Sequence, residues 1–305
     1  MAEAASAIVP RLAAPRRAAL PGDRTAVHWL LLGLPTLYFL VLFAWPLASL
    51  LRMAFARPIP NRVTGEGFSF VNFAEIFTNP LFLHTLWVTL RIGAFCALFA
   101  LLLGYPLAFF LVRTRTRARG LLLFLTLAPI LISVVVRAYG WIVLLSNRGL
   151  VNSLLMKLGL ISRPIRMIFN ETGIVIGTTH VLLPFMVLAI MGSLQTLDGT
   201  LEDAAASLGA RPVRVFLDVV LPLSLPGAAA GVLLVFVLSV SSFVTPVLLG
   251  GQIVLTVPIL ALQQFTSAFN WPFGSALVAL LLAAVLAITF AYDGLLQRRL
   301  NRGLR

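Results

Sequence analysis

Six long apolar runs, separated by shorter polar or basic stretches, organise the sequence: approximately Trp29–Leu51, Leu86–Val112, Leu121–Leu145, Gly173–Leu194, Leu223–Leu249 and Pro272–Leu296. Each is long enough to cross a hydrocarbon core of about 30 Å at about 1.5 Å per residue. The pattern predicts an all-α integral membrane protein with about six transmembrane helices. Ala54-Phe55-Ala56 has the form of a signal-peptidase site. The run before it is about 22 residues long, against about 7–15 for a signal sequence, so it is read as an uncleaved span. Pro35, Pro46, Pro106, Pro129, Pro184 and Pro246 lie within runs. Membrane helices tolerate proline because neighbours re-satisfy the freed backbone groups, and a kink there can also act as a hinge.

Basic residues cluster at the ends of the runs. Arg11, Arg16, Arg17 and Arg24 precede the first; Arg113, Arg115, Arg117 and Arg119 follow the second; Arg211 and Arg214 follow the fourth; Arg298, Arg299, Arg302 and Arg305 follow the last. The alternate segments hold Arg52, Arg57, Arg62, Arg148, Lys157, Arg163 and Arg166. The positive-inside bias predicts that both termini are cytoplasmic. The stretch Leu150–Leu160 is expected in the outer interface, where basic residues can snorkel. The expected organisation is a tail over 1–27, a membrane domain over 28–297 and a tail over 298–305. Between the first two spans, Gly65, Gly67, Asn72 and the apolar Phe73–Phe77 suggest a small ordered element.

The loop after the fourth run, about 196–222, stands out. It holds Asp198, Glu202, Asp203 and Asp218, four of the ten acids. Thr200–Leu208 is strongly helical, with acids in its first turn where the helix dipole favours them. Gly209 can end that helix in the left-handed conformation. Pro212 suits the first position of a second helix, and Pro222 is expected to end it. The predicted product is a bent helical pair at the membrane surface.

Composition agrees. The chain is 60% hydrophobic and 11% charged, with mean hydropathy +1.02. The net charge of +13 would suggest nucleic acid in a soluble protein. Here its placement fits topology signals and anionic lipid, and no nucleic-acid partner is expected. The single cysteine, Cys96, excludes a disulfide framework, and His28, His84 and His180 form no ligand motif. There is no P-loop, H-E-x-x-H or G-x-S-x-G.

Asp203-Ala204-Ala205, then Gly209, Val219 and Leu221-Pro222 resemble the E-A-A loop of ABC-importer permeases. Asp203 stands for the family's Glu and Val219 for its Ile, and the adjacent Glu202 can share the acidic role. Gly104–Ala108, Val136–Ile142, Gly149–Asn152, Leu182–Met186 and Asn270–Gly274 are similar to strings of the spermidine/putrescine-type branch. The resemblance covers roughly residues 30–295. It implies a type I importer permease fold in the bacterial inner membrane, with 196–222 as the coupling loop that docks into a partner ATPase. It also implies the partners: a dimer of ATP-binding cassette subunits holding ATP and Mg, a second permease, a homologue of this one, and a periplasmic solute-binding protein. This chain would bind no cofactor and perform no chemistry. Relatives of this branch carry polyamines and other small solutes.

Candidates for the solute path are less defined. Arg137 lies inside an apolar run, where a charge faces a partner or a wet cavity, or snorkels outward. Tyr139 and Trp141 are interfacial belt residues or path walls. Ser239, Ser241, Ser242, Phe243 and Thr245 form a polar break in the fifth run, which either packs helices or lines the path. His180 is read as a hydrogen-bonded packing residue. No acid lies in the middle of a span, which gives no support for a cation site there. Two other classes compete. A secondary transporter or channel needs intramembrane relays or a filter, and an intramembrane enzyme needs a nucleophile–base pair or metal ligands.

Overall fold

The computed structural model describes residues 24–59, 62–114, 116–251 and 253–303, with side chains from 31 to 295. The expected tail over 1–27 lies outside the described residues except for its last four, which are already helical. The chain divides into two units, Met1–Ser49 and Leu50–Arg305. In the first, α1 (Arg24–Phe39) passes through a π segment, Leu40–Ala44, into α2 (Trp45–Ala54), which continues into the second unit. A proline ring clashes with the carbonyl four residues earlier. For Pro46 that is the carbonyl of Leu42, inside the widened π turn.

The second unit contains α3 (Val71–Thr78), α4 (Pro80–Arg113), α5 (Arg119–Leu131), α6 (Val134–Leu145), α7 (Leu150–Lys157) and α8 (Glu171–Gln195). It continues with α9 (Thr200–Ser207), α10 (Pro212–Val215), α11 (Leu221–Val240), α12 (Val244–Gly250), α13 (Val257–Thr266) and α14 (Trp271–Gly303). Among the described residues six segments are long and apolar enough to cross a membrane: Leu31–Ala54, Pro80–Arg113, Val134–Lys157, Glu171–Gln195, Pro212–Val240 and Trp271–Leu295. The protein is thus an all-helical membrane protein, as the apolar pattern predicts. Helix α14 continues through Gly303, over most of the expected C-terminal tail.

The core is the packing of α4, α8 and α11. Lipid supplies no hydrophobic drive between spans, so close approach of small residues matters. Fully buried Met186 of α8 sits between Gly104 of α4 and Gly231 of α11. A Cβ at Gly104 would lie 2.9 Å from Met186 Cγ, and one at Gly231 would lie 2.7 Å from its sulfur. The Tyr105 and Ser224 hydroxyls hydrogen-bond at 2.5 Å across the α4–α11 contact. The expected ordered element after the first span is present. Buried Asn72 of α3 donates from Nδ2 to the Ala54 and Ala56 carbonyls, both at 2.9 Å.

Three sequence expectations are corrected. The run Leu121–Leu145 is not one helix: α5 ends at Leu131, two residues after Pro129, and extended Ile132 and Ser133 precede α6. The run Leu223–Leu249 breaks at Ser241–Phe243, where the serine-rich stretch competes with the helical backbone. Ser241 Oγ donates to the Val237 carbonyl at 3.0 Å. Finally, Pro222 does not end the second loop helix. Helix α10 runs through a π segment, Phe216–Val220, directly into α11. Asp218, whose carbonyl the Pro222 ring would strike in a regular helix, lies inside that π segment, as Leu42 does before Pro46.

Of the stretch Leu150–Leu160, Leu150–Lys157 forms α7. Buried Asn152 donates to the Ser146 and Ile165 carbonyls, both at 3.0 Å, and accepts from Ile165 N at 2.9 Å. One polar side chain thereby pins both ends of that loop.

Candidate functional site

The α9–α10 turn is built from short-range bonds. Asp198 Oδ1 accepts from the Thr200 amide at 3.0 Å, which holds that carboxyl below the usual carboxylate range. Helix α9 carries Glu202 and Asp203 in its first turn. It stops in a left-handed cap at Gly209, φ +84°. The Gly209 amide donates to the Ala206 carbonyl at 2.9 Å, and the Ala210 amide to the Ala205 carbonyl at 3.1 Å. This pair of bonds is a Schellman motif. The spacing from Ala205 to Gly209 is therefore the span of one hydrogen-bonded cap. Pro212 then starts α10.

Within this turn Asp203 is exposed and Ala204 lies beside it on the outside. Glu202, rather than Asp203, makes a side-chain bond: it pairs with Arg113 at the last residue of α4. Leu208 is 90% exposed and Val213 68%, so the turn presents apolar side chains outward. Val219 and Leu221 are half-buried and Pro222 is exposed, all in the continuous helix leading into the span.

Along the other half of α8 lies a cavity of about 690 Å³ between α4, α6 and α8. Phe95 and Phe99 form one wall; Trp141, Thr179 and His180 line others. Trp141 Nε1 donates to His180 Nδ1 at 3.3 Å, with the rings nearly perpendicular, 5.3 Å apart. Glu171 lies at the same cavity and is paired with Arg91 of α4. Behind it, the Thr179 and Ser239 hydroxyls face the buried Cys96 thiol.

The structure does not gather the sequence's path candidates at one place. Trp141 lines the cavity. Arg137, one turn earlier, donates to the Pro129 carbonyl, so its charge serves the end of α5 at the helix break. Tyr139 is exposed on another side of α6. Ser242 and Phe243 are half-buried at the break in the fifth run. Thr245 is buried beside Gly177 of α8. Helix α12 packs on both α6 and α8, so the two helix breaks are joined through packed elements.

The sequence reading missed the ion pairs Arg91–Glu171 and Arg113–Glu202 and the place of His180 in the cavity wall. Arg91, a charge within the second apolar run, was the available signal. Among the described residues no group of three or more His, Cys, Asp or Glu could hold a metal.

Residues 100–302 match the family described as binding-protein-dependent transport system inner membrane component. The chain is 36% identical over 233 residues to the spermidine/putrescine transport system permease protein PotB of Haemophilus influenzae, covering 75% of this chain and 81% of that one. It is 34% identical over 235 residues to PotB of Escherichia coli, covering 77% and 85%. It is 30% identical over 216 residues to the molybdenum transport system permease protein ModB of Mycobacterium bovis, covering 71% and 80%. Its fold is similar to a chain of a bacterial alginate ABC transporter bound to its periplasmic protein, with a TM-score of 0.75 at 18% identity, covering 90% and 96%.

Proposed function

Because the chain belongs to the binding-protein-dependent transport inner membrane components, and is a multi-pass ABC-importer permease rather than an enzyme, we propose that it carries a polyamine of the spermidine/putrescine class. An external binding protein delivers the solute. A second, homologous permease completes the pore, and a dimer of ATP-binding subunits holds ATP and Mg; this chain binds neither. Both termini face the cytoplasm.

The observation that carries the mechanism is the α9–α10 turn, an exposed helical bend with apolar Leu208 and Val213 facing outward. In this reading it docks on the ATPase through Asp203, Ala204, Ala205 and Gly209. Val219, Leu221 and Pro222 carry the motion into the span. Glu202 faces inward to Arg113. Each nucleotide state must bind one permease conformation better than the other, since only differential binding shifts a population. Trp141 and the Ser242–Phe243 break are assigned to the solute path. Tyr139, exposed, is assigned to the interfacial belt, Thr245 to packing, and Arg137 to support of the broken helix.

A second cargo reading rests on one observation. The carboxylate at the cavity, Glu171, is neutralised by Arg91, so that acid does not select a cation there. Selection then falls to the binding protein, and another small solute would use the same machine.

The complex reconstituted in liposomes with its ATPase, pore mate and binding protein tests both readings. Uptake of labelled spermidine that requires ATP and the binding protein supports the proposal. ATP-driven uptake of a different solute, with spermidine neither carried nor competing, selects the second reading. Uptake by the lone chain on an ion gradient would overturn both. Reporter fusions after Arg119 and Ala210 should read cytoplasmic, and one at Gly65 periplasmic; the reverse pattern would overturn the orientation.

A further inference from the structure

Helix α9 buries none of its side chains. The helical segments it packs against most are α10 and the π segment Phe216–Val220, which belong to the same loop and the start of the next span. It enters from α8 through 196–199 and leaves through Gly209, where the space around a would-be Cβ is empty to 4 Å. Two covalent attachments define an axis, and a short helix held at two points can turn about it. A third fixed point on another helix removes that freedom.

Arg113 supplies such a point. It is the last residue of α4, and its guanidinium pairs with Glu202 in the first turn of α9. Their side chains are only 30% and 25% exposed, so water screens the pair less than it would on the open surface. Each charge also lies at the helix end whose dipole favours it, the cation at a C-terminus and the anion at an N-terminus. The pair spans 89 positions of sequence and ties the loop to the one core helix it does not follow or precede.

We propose that the Arg113–Glu202 pair is the third tether of α9, and that it makes the loop move as one body with α4, α8 and α11. Arg113 and Glu202 are thus positioning residues for energy coupling, not groups that touch ATP or solute. The inference rests on reading this loop as the coupling element. Without the tether, a push from the ATPase turns α9 on its two attachments instead of tilting the spans. ATP is then hydrolysed with less solute moved.

The test uses the full complex with binding protein, reading solute carried per ATP hydrolysed, together with assembly. Arg113→Glu and Glu202→Arg should each lower that ratio about tenfold, within the usual range of coupling between sites. The exchanged pair, Arg113→Glu with Glu202→Arg, should return it to within about threefold of wild type, the mark of a direct interaction in a double-mutant cycle. Wild-type ratios in both single variants, or an exchanged pair no better than the worse single, would overturn the tether. If Arg113→Glu does not reach the membrane, Arg113→Lys should keep most of the ratio and Arg113→Gln should lose it; equal behaviour of the two overturns the proposal. Gly209→Val in the same series separates the premises. If it loses uptake and stimulated ATP hydrolysis while the Arg113 variants keep the wild-type ratio, the tether is wrong and the coupling loop stands. If neither uncouples, the loop reading fails first.

Discussion

Beyond the C-terminus of α8, the α9–α10 turn takes its shape from near neighbours: Asp198 with Thr200, Ala205 with Ala210, Ala206 with Gly209. Along the N-terminal half of α8, the cavity joins partners far apart in sequence. Trp141 meets His180 across 39 positions, and Arg91 meets Glu171 across 80. The first region holds its form by backbone geometry and presents it outward. The second exists only while several spans are correctly packed. A perturbation of the turn should therefore damage coupling and spare assembly. A perturbation of the cavity should damage passage of solute and spare the response of the ATPase.

Gly209→Val is the sharpest way to break that contrast. A β-branched residue at φ +84° carries strain of about 1–3 kcal/mol. No neighbouring atom lies within 4 Å of the added Cβ, so the core is untouched. Membrane level and pore-mate association should stay near normal, while uptake and binding-protein-stimulated ATP hydrolysis are abolished. Transport at the wild-type rate would mean that the turn is not the coupling element.

Trp141→Ala probes the other region with a smaller effect. It removes the donor to His180 and one aromatic wall. Loss of one hydrogen bond of about 1 kcal/mol corresponds to about fivefold in rate. Uptake should fall by about that factor while stimulated ATP hydrolysis stays within about twofold. An equal fall in both would erase the distinction between the two regions.

Asp203→Glu is smaller again. It gives the loop the glutamate of the family pattern at an exposed position where the longer chain has room. Uptake should remain within about twofold of wild type, the usual scale for surface changes. A strong loss would show that the partner's cleft is fitted to the shorter acid.

The smallest effect belongs to Asp198. Its folded-state pKa is lowered by the Thr200 amide, so its support of α9 is fully present above the unfolded value of about 3.8 and fades as pH falls through the lower folded value. Amide exchange at 200–203, followed downward in pH, should show the start of α9 loosening in that acid range. Asp198→Asn keeps the acceptor without the titration and should flatten the change. An unchanged profile in Asp198→Asn would show that this carboxylate is not the group that titrates.

The same contrast explains what could be read from the sequence. Lengths of apolar runs reported the spans, because the thickness of a membrane acts on each run separately. Gly209 and Pro212 announced the turn, because their effects are confined to adjacent residues. The two helix breaks were harder. Pro129 was visible, but whether a proline bends or parts a helix depends on what meets the carbonyls left at the break. Here the Arg137 guanidinium, eight positions away, donates to the carbonyl of Pro129 itself. Pro222 misled for a related reason: it stops a regular helix, and the preceding π segment is not regular. The cavity was not legible, since no local pattern places Phe95, Trp141 and His180 around one space.

The π segment Phe216–Val220 has a further consequence. Such a segment is an α-helix holding one residue more than its regular count. One residue is worth about 100° of rotation about the helix axis. The compass bearing at which the turn leaves the fifth span is thus set by a number, the length of chain between Arg211 and Pro222, as well as by contacts. Deleting a single residue there would let the helix close into regular α geometry and swing the turn by more than a quarter circle. Changes of side chain in that stretch alter the strength of a joint; a change of length alters its heading.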